Sequence, residues 1–255
     1  MRDLNLEVQR GVATLSINRP KSRNALALQT MAELDQALDA VQAGHARILV
    51  IRGVGAKAFC SGGDLKELEL MRSAAEAASM ARRMRATLDR LPQLSIPVIA
   101  GLNGDALGGG AELAVACDFR VAASHARIGF AQVTLGIVPA WGATERLAEL
   151  VGRARALHLL LGGQAISATD AWRVGLLEEV VPSEEFDTRL AEVARSIANA
   201  PPATIAGIKR SVDAVRPHRH PELAAGAIEA FANTWAHPAH WKALDTMEKR
   251  RQAKK

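Results

Sequence analysis

Two glycine-rich turns, each running into a predicted helix, carry the residues best suited to chemistry. They are Cys60-Ser61-Gly62-Gly63-Asp64-Leu65-Lys66 and Asn103-Gly104-Asp105-Ala106-Leu107-Gly108-Gly109-Gly110-Ala111-Glu112. Glycine lets a backbone approach a ligand closely and tolerates positive φ. At a helix start the backbone N–H groups point outward with the positive end of the helix dipole behind them. Two such groups converging on one point form an oxyanion hole, which stabilises a carbonyl oxygen as it gathers charge, as in a thioester enolate. The pattern is that of an enzyme.

These turns need rigid elements on either side. Leu4, Leu6 and Val8 alternate with polar residues, Gly11 supplies a turn, and Val12, Leu15 and Ile17 lead towards Pro20, which predicts a hairpin. Asn24 is placed to cap a helix over 27–43, whose apolar residues Leu28, Met31, Leu34, Leu38 and Val41 recur at helical spacing. Arg47 to Gly53 and Pro97 to Gly101 are short apolar runs of the kind found in buried strands; 119–122 reads as another strand and 74–91 as a second helix. Each glycine-rich turn then lies at the carboxyl end of a strand, where open α/β sheets bind ligands. From Trp141 onward the pattern predicts helices alone, over 142–150, 153–161, 167–174, 183–199, 202–215, 221–236 and 239–251. The expected layout is an α/β core, residues 1–195, followed by a helical region, 196–255.

Composition narrows the function. With 255 residues, 49% of them hydrophobic and 23% charged, the chain fits one large soluble domain, or a core with a helical appendage. Tyrosine is absent, which excludes a phenolic general acid. A net charge of +5 and a pI of about 9.6 admit anionic partners: nucleic acid, an acidic membrane or a phosphate-bearing cofactor. Much of the excess sits in Lys249-Arg250-Arg251-Gln252-Ala253-Lys254-Lys255, for which a solvated tail is the plain alternative. Cys60 and Cys117, without CxxC spacing, read as reduced thiols of a cytoplasmic protein. The N-terminus is too polar for a signal peptide. The longest apolar region, Ile96 to Cys117, is interrupted by Asn103, Asp105 and Glu112, so no membrane span is expected.

Asn18-Arg19-Pro20 with Asn24-Ala25-Leu26, Ala58 to Lys66, Ala106 to Leu113, Leu135-Gly136-Ile137-Val138-Pro139, Ile166-Ser167-Ala168 with Ala171 to Leu176, and Glu248-Lys249-Arg250 together resemble the crotonase (enoyl-CoA hydratase/isomerase) superfamily. The resemblance runs in order through essentially the whole chain. It implies an α/β fold, a spiral of ββα units with a helical C-terminal trimerisation region; periodicity alone does not distinguish this from a doubly wound sheet. It further implies a homotrimer or dimer of trimers acting on acyl-CoA, with coenzyme A as part of the substrate and no separate cofactor or metal. Carried over by position, the backbone N–H groups of Gly63 and Gly109 form the oxyanion hole. Backbone near Ala25 and Ser61 cradles the adenine end of coenzyme A. Lys66 and Lys249 meet its phosphates, Lys249 from a neighbouring subunit, and Ala140 and Trp141 line the acyl pocket. Tight helix packing is the alternative for Gly109, and an exposed, solvated side chain the alternative for each lysine.

Hydratases of this superfamily carry two glutamates twenty positions apart that hold and activate a water. The resemblance places the first at Glu112 and the second at position 132, where this chain has Gln132. Glutamine orients a water through its amide but neither takes up nor releases a proton. A missing acid–base group costs about 10²–10⁴ in rate. Glu112 alone therefore suits double-bond isomerisation, with slow hydration. A structural salt bridge is the alternative for Glu112, and simple packing the alternative for Gln132.

Pro139-Ala140-Trp141-Gly142 is a second departure, since hydratases have small residues there, and the tryptophan resembles the ethylmalonyl-CoA decarboxylase branch. Decarboxylation makes the enolate without a base. An RNA-binding protein and a silent trimeric scaffold complete the alternatives; sparse aromatics, 4%, argue against RNA. His218-Arg219-His220 and His237-Pro238-Ala239-His240 lack matched ligand spacing for a metal, and Asp118 reads as a structural turn residue.

Overall fold

The computed structural model describes residues 1–215 and 221–253. β1 (Leu4–Gln9) and β2 (Val12–Ile17) form the expected antiparallel hairpin, Gln9 facing Val12 across the turn. After α1 (Leu28–Ala43) the chain alternates between two sheets. β3 (Ile48–Gly53), β5 (Val98–Leu102) and β7 (Phe119–Ala123) extend the hairpin in parallel. Between them β4 (Ala58–Cys60), β6 (Asp105–Leu107) and β8 (Arg127–Gly129) build a second sheet, also in parallel. Each strand pair leads into helix: α2 (Leu65–Leu68) and α3 (Ala74–Gln93), then α4 (Gly109–Ala116), then a 3₁₀ turn, Ala131–Leu135, with α5 (Ala143–Val151) and α6 (Arg153–Gly162). Sending successive strands to different sheets makes this a ββα spiral rather than one doubly wound sheet.

Three expectations need correction. The stretch after Trp141 is not helical alone: β9 (Ile166–Ser167) pairs antiparallel with β8, and, after α7 (Ala168–Arg173), β10 (Glu179–Val181) pairs parallel with β7. Strands of two or three residues show no period, and the free sheet edges supply their hydrogen bonds. Asn24 does not cap α1. It adopts the left-handed conformation at φ 56°, is buried, and donates through its carboxamide to the carbonyls of Ala58 (2.7 Å) and Val54 (3.1 Å). The first helical amide, of Leu28, is instead held by the Glu67 carboxylate at 3.0 Å. Finally, the expected boundary at 195 falls inside α8 (Phe186–Ala198), whose Phe186, Leu190, Ala194 and Ala198 pack on Val50, Ile99 and Val121. With α8 on one face and the main core on the other, the first sheet is buried on both sides, which explains its continuous apolar runs.

The remaining helices, α9 (Pro202–Asp213), α10 (Pro221–Ala236) and α11 (Pro238–Gln252), fold back on the chain's own core. The Lys209 ammonium of α9 donates to the Ile96 carbonyl (2.9 Å) and to Asp118 (2.7 Å), and Asp118 also accepts the Val98 N–H (2.7 Å), a structural role. Trp235 of α10 donates to the Met71 carbonyl at 2.8 Å. His240 of α11 donates to the Leu135 carbonyl at 2.6 Å. Cys60 and Cys117 are free and buried, and burial pushes both thiols up to about 12. Among the described residues no helix is long and apolar enough to cross a membrane.

Candidate active site

The first glycine turn is braced by the Asn24-Ala25-Leu26 segment. The Leu26 N–H donates to the Gly62 carbonyl (2.8 Å), and the Leu26 carbonyl accepts from Asp64 (2.9 Å). Leu26 thus bridges the residues on either side of Gly63 and leaves the N–H of Gly63 outside that pairing. Arg19 locks this frame by donating to the Ala25 carbonyl (2.6 Å) and to Asp64 (2.9 Å).

The second turn enters α4 through Gly108, at φ 53°. Gly109 opens the helix, so its N–H has no intrahelical partner. The two turns touch: a β-carbon on Gly62 would lie 3.1 Å from the Gly109 nitrogen, and one on Gly110 would overlap the Cys60 carbonyl. A β-carbon on Gly109 would overlap the indole of Trp141. Packing therefore demands glycine at 109 as firmly as an exposed amide does.

Both turns line one cavity of about 260 Å³. Ser61, Gly63, Gly109, Glu112, Gln132, Ala140 and Trp141 all face it. Ala25, Lys66 and Lys249 do not. Ala25 is buried, with its N–H on the Ser22 carbonyl and its own carbonyl on Arg19. Lys66 and Lys249 are exposed, on α2 and α11. The roof was not foreseen: Phe231 and Trp235 of α10 and Met247 of α11. The one signal for it in the sequence is the cluster Phe231, Trp235 and Trp241 in a chain otherwise poor in aromatics.

Glu112 is buried in the first turns of α4, its carboxylate held by amides rather than by a cation. Oε2 accepts the N–H groups of Trp141 (2.8 Å) and Ala143 (3.1 Å), and Oε1 accepts Nε2 of Gln132 (2.9 Å). Burial pushes the carboxyl up to about 7, against the opposing pull of those three donors and of the Arg146 charge. Gln132 Oε1 is buried with no hydrogen-bond partner, a free acceptor on the amide that faces the cavity. The pair Glu112–Gln132 can thus move one proton, at the glutamate, and can receive one donor, at the glutamine.

No group of three or more His, Cys, Asp and Glu suited to a metal occurs among the described residues. His218 and His220, and Lys254 and Lys255 of the basic tail, lie outside them. His237 accepts the Ala239 N–H (3.1 Å) at the start of α11, and His240 is engaged by Leu135.

Comparison with known proteins agrees with this architecture. The profile of the family enoyl-CoA hydratase/isomerase matches residues 7–254. A crotonyl-CoA hydratase of Syntrophomonas wolfei is 42% identical over 193 residues, covering 75% of this chain and 74% of that protein. Ethylmalonyl-CoA decarboxylase of Mus musculus is 31% identical over 243 residues, covering 94% of this chain and 75% of the relative. The crystal structure of an enoyl-CoA hydratase/isomerase from Xanthobacter autotrophicus Py2 superposes with a TM-score of 0.88 at 27% identity, covering 97% of this chain and 93% of that one. With a family profile matched over nearly its whole length, a relative at 42% identity and a shared fold, the chain belongs to the enoyl-CoA hydratase/isomerase family.

Proposed function

We propose that this enzyme binds an enoyl-CoA thioester in the cavity and holds its carbonyl oxygen on the amides of Gly63 and Gly109. Glu112 then serves as the sole proton-transfer carboxylate, isomerising the double bond and hydrating it only slowly. The observation that carries this reading is the Gln132 amide seated directly on Glu112 Oε1 at 2.9 Å, in place of a second carboxylate. In isomerisation the ionised Glu112 removes a proton from the carbon beside the thioester. The electron pair moves onto the carbonyl oxygen, and the same proton returns two carbons further along as the double bond shifts. Hydration also needs a proton taken from water, which Gln132 can orient through Oε1 but cannot deprotonate. Because Glu112 ionises at about 7, the isomerisation rate rises with pH through that value.

The adenine end of coenzyme A lies along Ser61 and the backbone by Ala25, and its phosphates meet Lys66 and Lys249. Exposed Ile208, Val212 and Val215, in and after α9, support self-association through residues 196–255 as a homotrimer or dimer of trimers, with Lys249 serving a neighbouring site; sedimentation equilibrium tests it. Two unpaired, buried cysteines support a cytoplasmic setting.

A second reading, decarboxylation of a branched malonyl-CoA thioester, is favoured by the Trp141 indole packed against Gly109 and by likeness to the decarboxylase. There carbon dioxide leaves with no base, and a protonated Glu112 quenches the enolate. Incubating 2-enoyl-, 3-enoyl- and malonyl-type thioesters in deuterated water, with mass-spectrometric readout, separates the reactions. The expected result is a double-bond shift that is faster than water addition and is lost in Glu112→Gln. Hydration faster than isomerisation, carbon dioxide release as the dominant reaction, or full activity in Glu112→Gln would each sink the first reading.

A further inference from the structure

Arg146 of α5 is fully buried, lies outside the cavity, and has no task in the chemistry above. Its Nη1 donates to the Trp141 carbonyl at 2.7 Å, and its Nη2 pairs with Asp89 of α3. The intervening Gly142 sits at φ 101°, and a β-carbon there would overlap the guanidinium, so the turn is wrapped onto Arg146. The two amides that grip Glu112 Oε2, those of Trp141 and Ala143, flank the same glycine. Fixing the Trp141 carbonyl fixes the Trp141–Gly142 peptide plane, and with it the turn that aims both amides. A planar fork with two rigid donor directions can span a backbone carbonyl and a carboxylate at once, which a lysine ammonium on its flexible stem does far less well.

We propose that Arg146 is a positioning residue: anchored on α3, it holds the Trp141–Ala143 turn so that its two amides keep Glu112 aimed at the reacting carbons and ready to ionise. This rests on the reading of Glu112 as the proton carrier. The charged groups around the turn are Arg146 itself and Glu145 of α5, with Asp89 and Arg85 of α3 behind them; Arg85 is paired with both Asp89 and Glu145. The nearby Cys117 thiol stays neutral. Among the described residues, the Arg146 charge favours the ionised carboxylate of Glu112.

The test uses the full chain with ¹³C-labelled glutamate. The Glu112 carboxyl signal, assigned by its loss in Glu112→Gln, is titrated in the parent, Arg146→Met and Arg146→Lys, alongside kcat and KM against pH. Arg146→Met is expected to raise the Glu112 midpoint by about one unit. It should lower kcat about tenfold below the midpoint and much less above it, with KM unchanged. Arg146→Lys, which keeps the charge but loses the fork, is expected to recover only part of the parent profile and to leave a smaller shift in the same direction. An unmoved midpoint in folded protein, or a rate loss equal at every pH, overturns the proposal. If Arg146→Met does not fold, an unmoved midpoint in Arg146→Lys does the same. A midpoint that moves while the kcat profile stays put leaves Arg146 in its role and removes Glu112 from the chemistry.

Discussion

Gln132→Glu restores the second carboxylate next to Glu112, and the structure gives the size of the effect. The two side chains already meet at 2.9 Å, so the new carboxylate would place its charge about 4 Å from that of Glu112. At an effective dielectric of about 20, two like charges at that separation repel by about 4 kcal/mol, or about three pK units. Glu112 already ionises at about 7, so the pair cannot be doubly ionised near neutrality and shares one proton. A base and an acid would then stand side by side, the combination that hydration requires. Water addition to crotonyl-CoA should rise at least several-fold, with a ceiling of about 10²–10⁴, and fall again at alkaline pH when the shared proton is lost. The assay is the loss of conjugated enoyl absorbance, with product confirmed by mass. A folded variant with unchanged KM whose hydration rate matches the parent from about pH 5 to about pH 9 would show that the water site does not lie between 112 and 132.

Other perturbations test the frame around that pair. Gly109→Ala forces a methyl into the Trp141 indole, so it should cost about 1–3 kcal/mol of stability and about 10²–10³ in rate. A fully active Gly109→Ala with an unchanged melting temperature would show that the indole yields to the methyl without displacing that amide. Glu33 accepts the N–H groups of Arg2, Asp3 and Leu4, and although burial raises its pKa, the Gln29 side chain and these amides outweigh it and hold the carboxyl at about 2. Its stabilisation is complete above the ordinary carboxylate pKa and is lost as pH falls towards 2. Melting temperature against pH should therefore drop less steeply in acid for Glu33→Gln than for the parent, and identical slopes would contradict the assignment. Asn24→Ala removes the carboxamide donor from the Val54 carbonyl and leaves the Ala58 carbonyl with only the longer bond from Asn103 (3.3 Å), and it should cost about 1–3 kcal/mol in denaturant titration; an unchanged midpoint would show that water replaces the carboxamide.

How much could be read in advance follows from the range of the forces involved. The β1–β2 hairpin, α1, α3 and the strands β3, β5 and β7 are long enough to carry a period or an unbroken apolar run, and each lies within a few residues of its expected place. The short strands β4, β6, β8, β9 and β10 exist because a partner far along the chain offers an edge, as β7 does for β10, and no local pattern records that. Asn24 shows the same limit: an asparagine before an apolar helix reads as a cap, yet its carboxamide is engaged by carbonyls thirty residues and more away. In the site, Gly63, Gly109, Glu112, Gln132 and Trp141 were legible because they sit in motifs next to the elements that aim them. Phe231, Trp235 and Met247 were not, because they reach the cavity only after the C-terminal helices fold back over it.

The identity of Glu112 was legible, but its working state was not, and the difference lies in its partners. A carboxylate offers about four lone-pair positions. Here two amides occupy Oε2 and the Gln132 amide occupies Oε1. One position on Oε1 stays open, beside the unbonded oxygen of Gln132. A proton arriving at Glu112 therefore has one place to sit, and it leaves from that place. A second glutamate at 132 would offer the proton another seat and a route through water to bulk solvent; glutamine closes that route. In the proposed isomerisation, proton removal and return would then take place from one atom. On the proposed reading, such a centre favours moving a hydrogen along a carbon chain over adding one from water, and it owes this to an amide that cannot ionise.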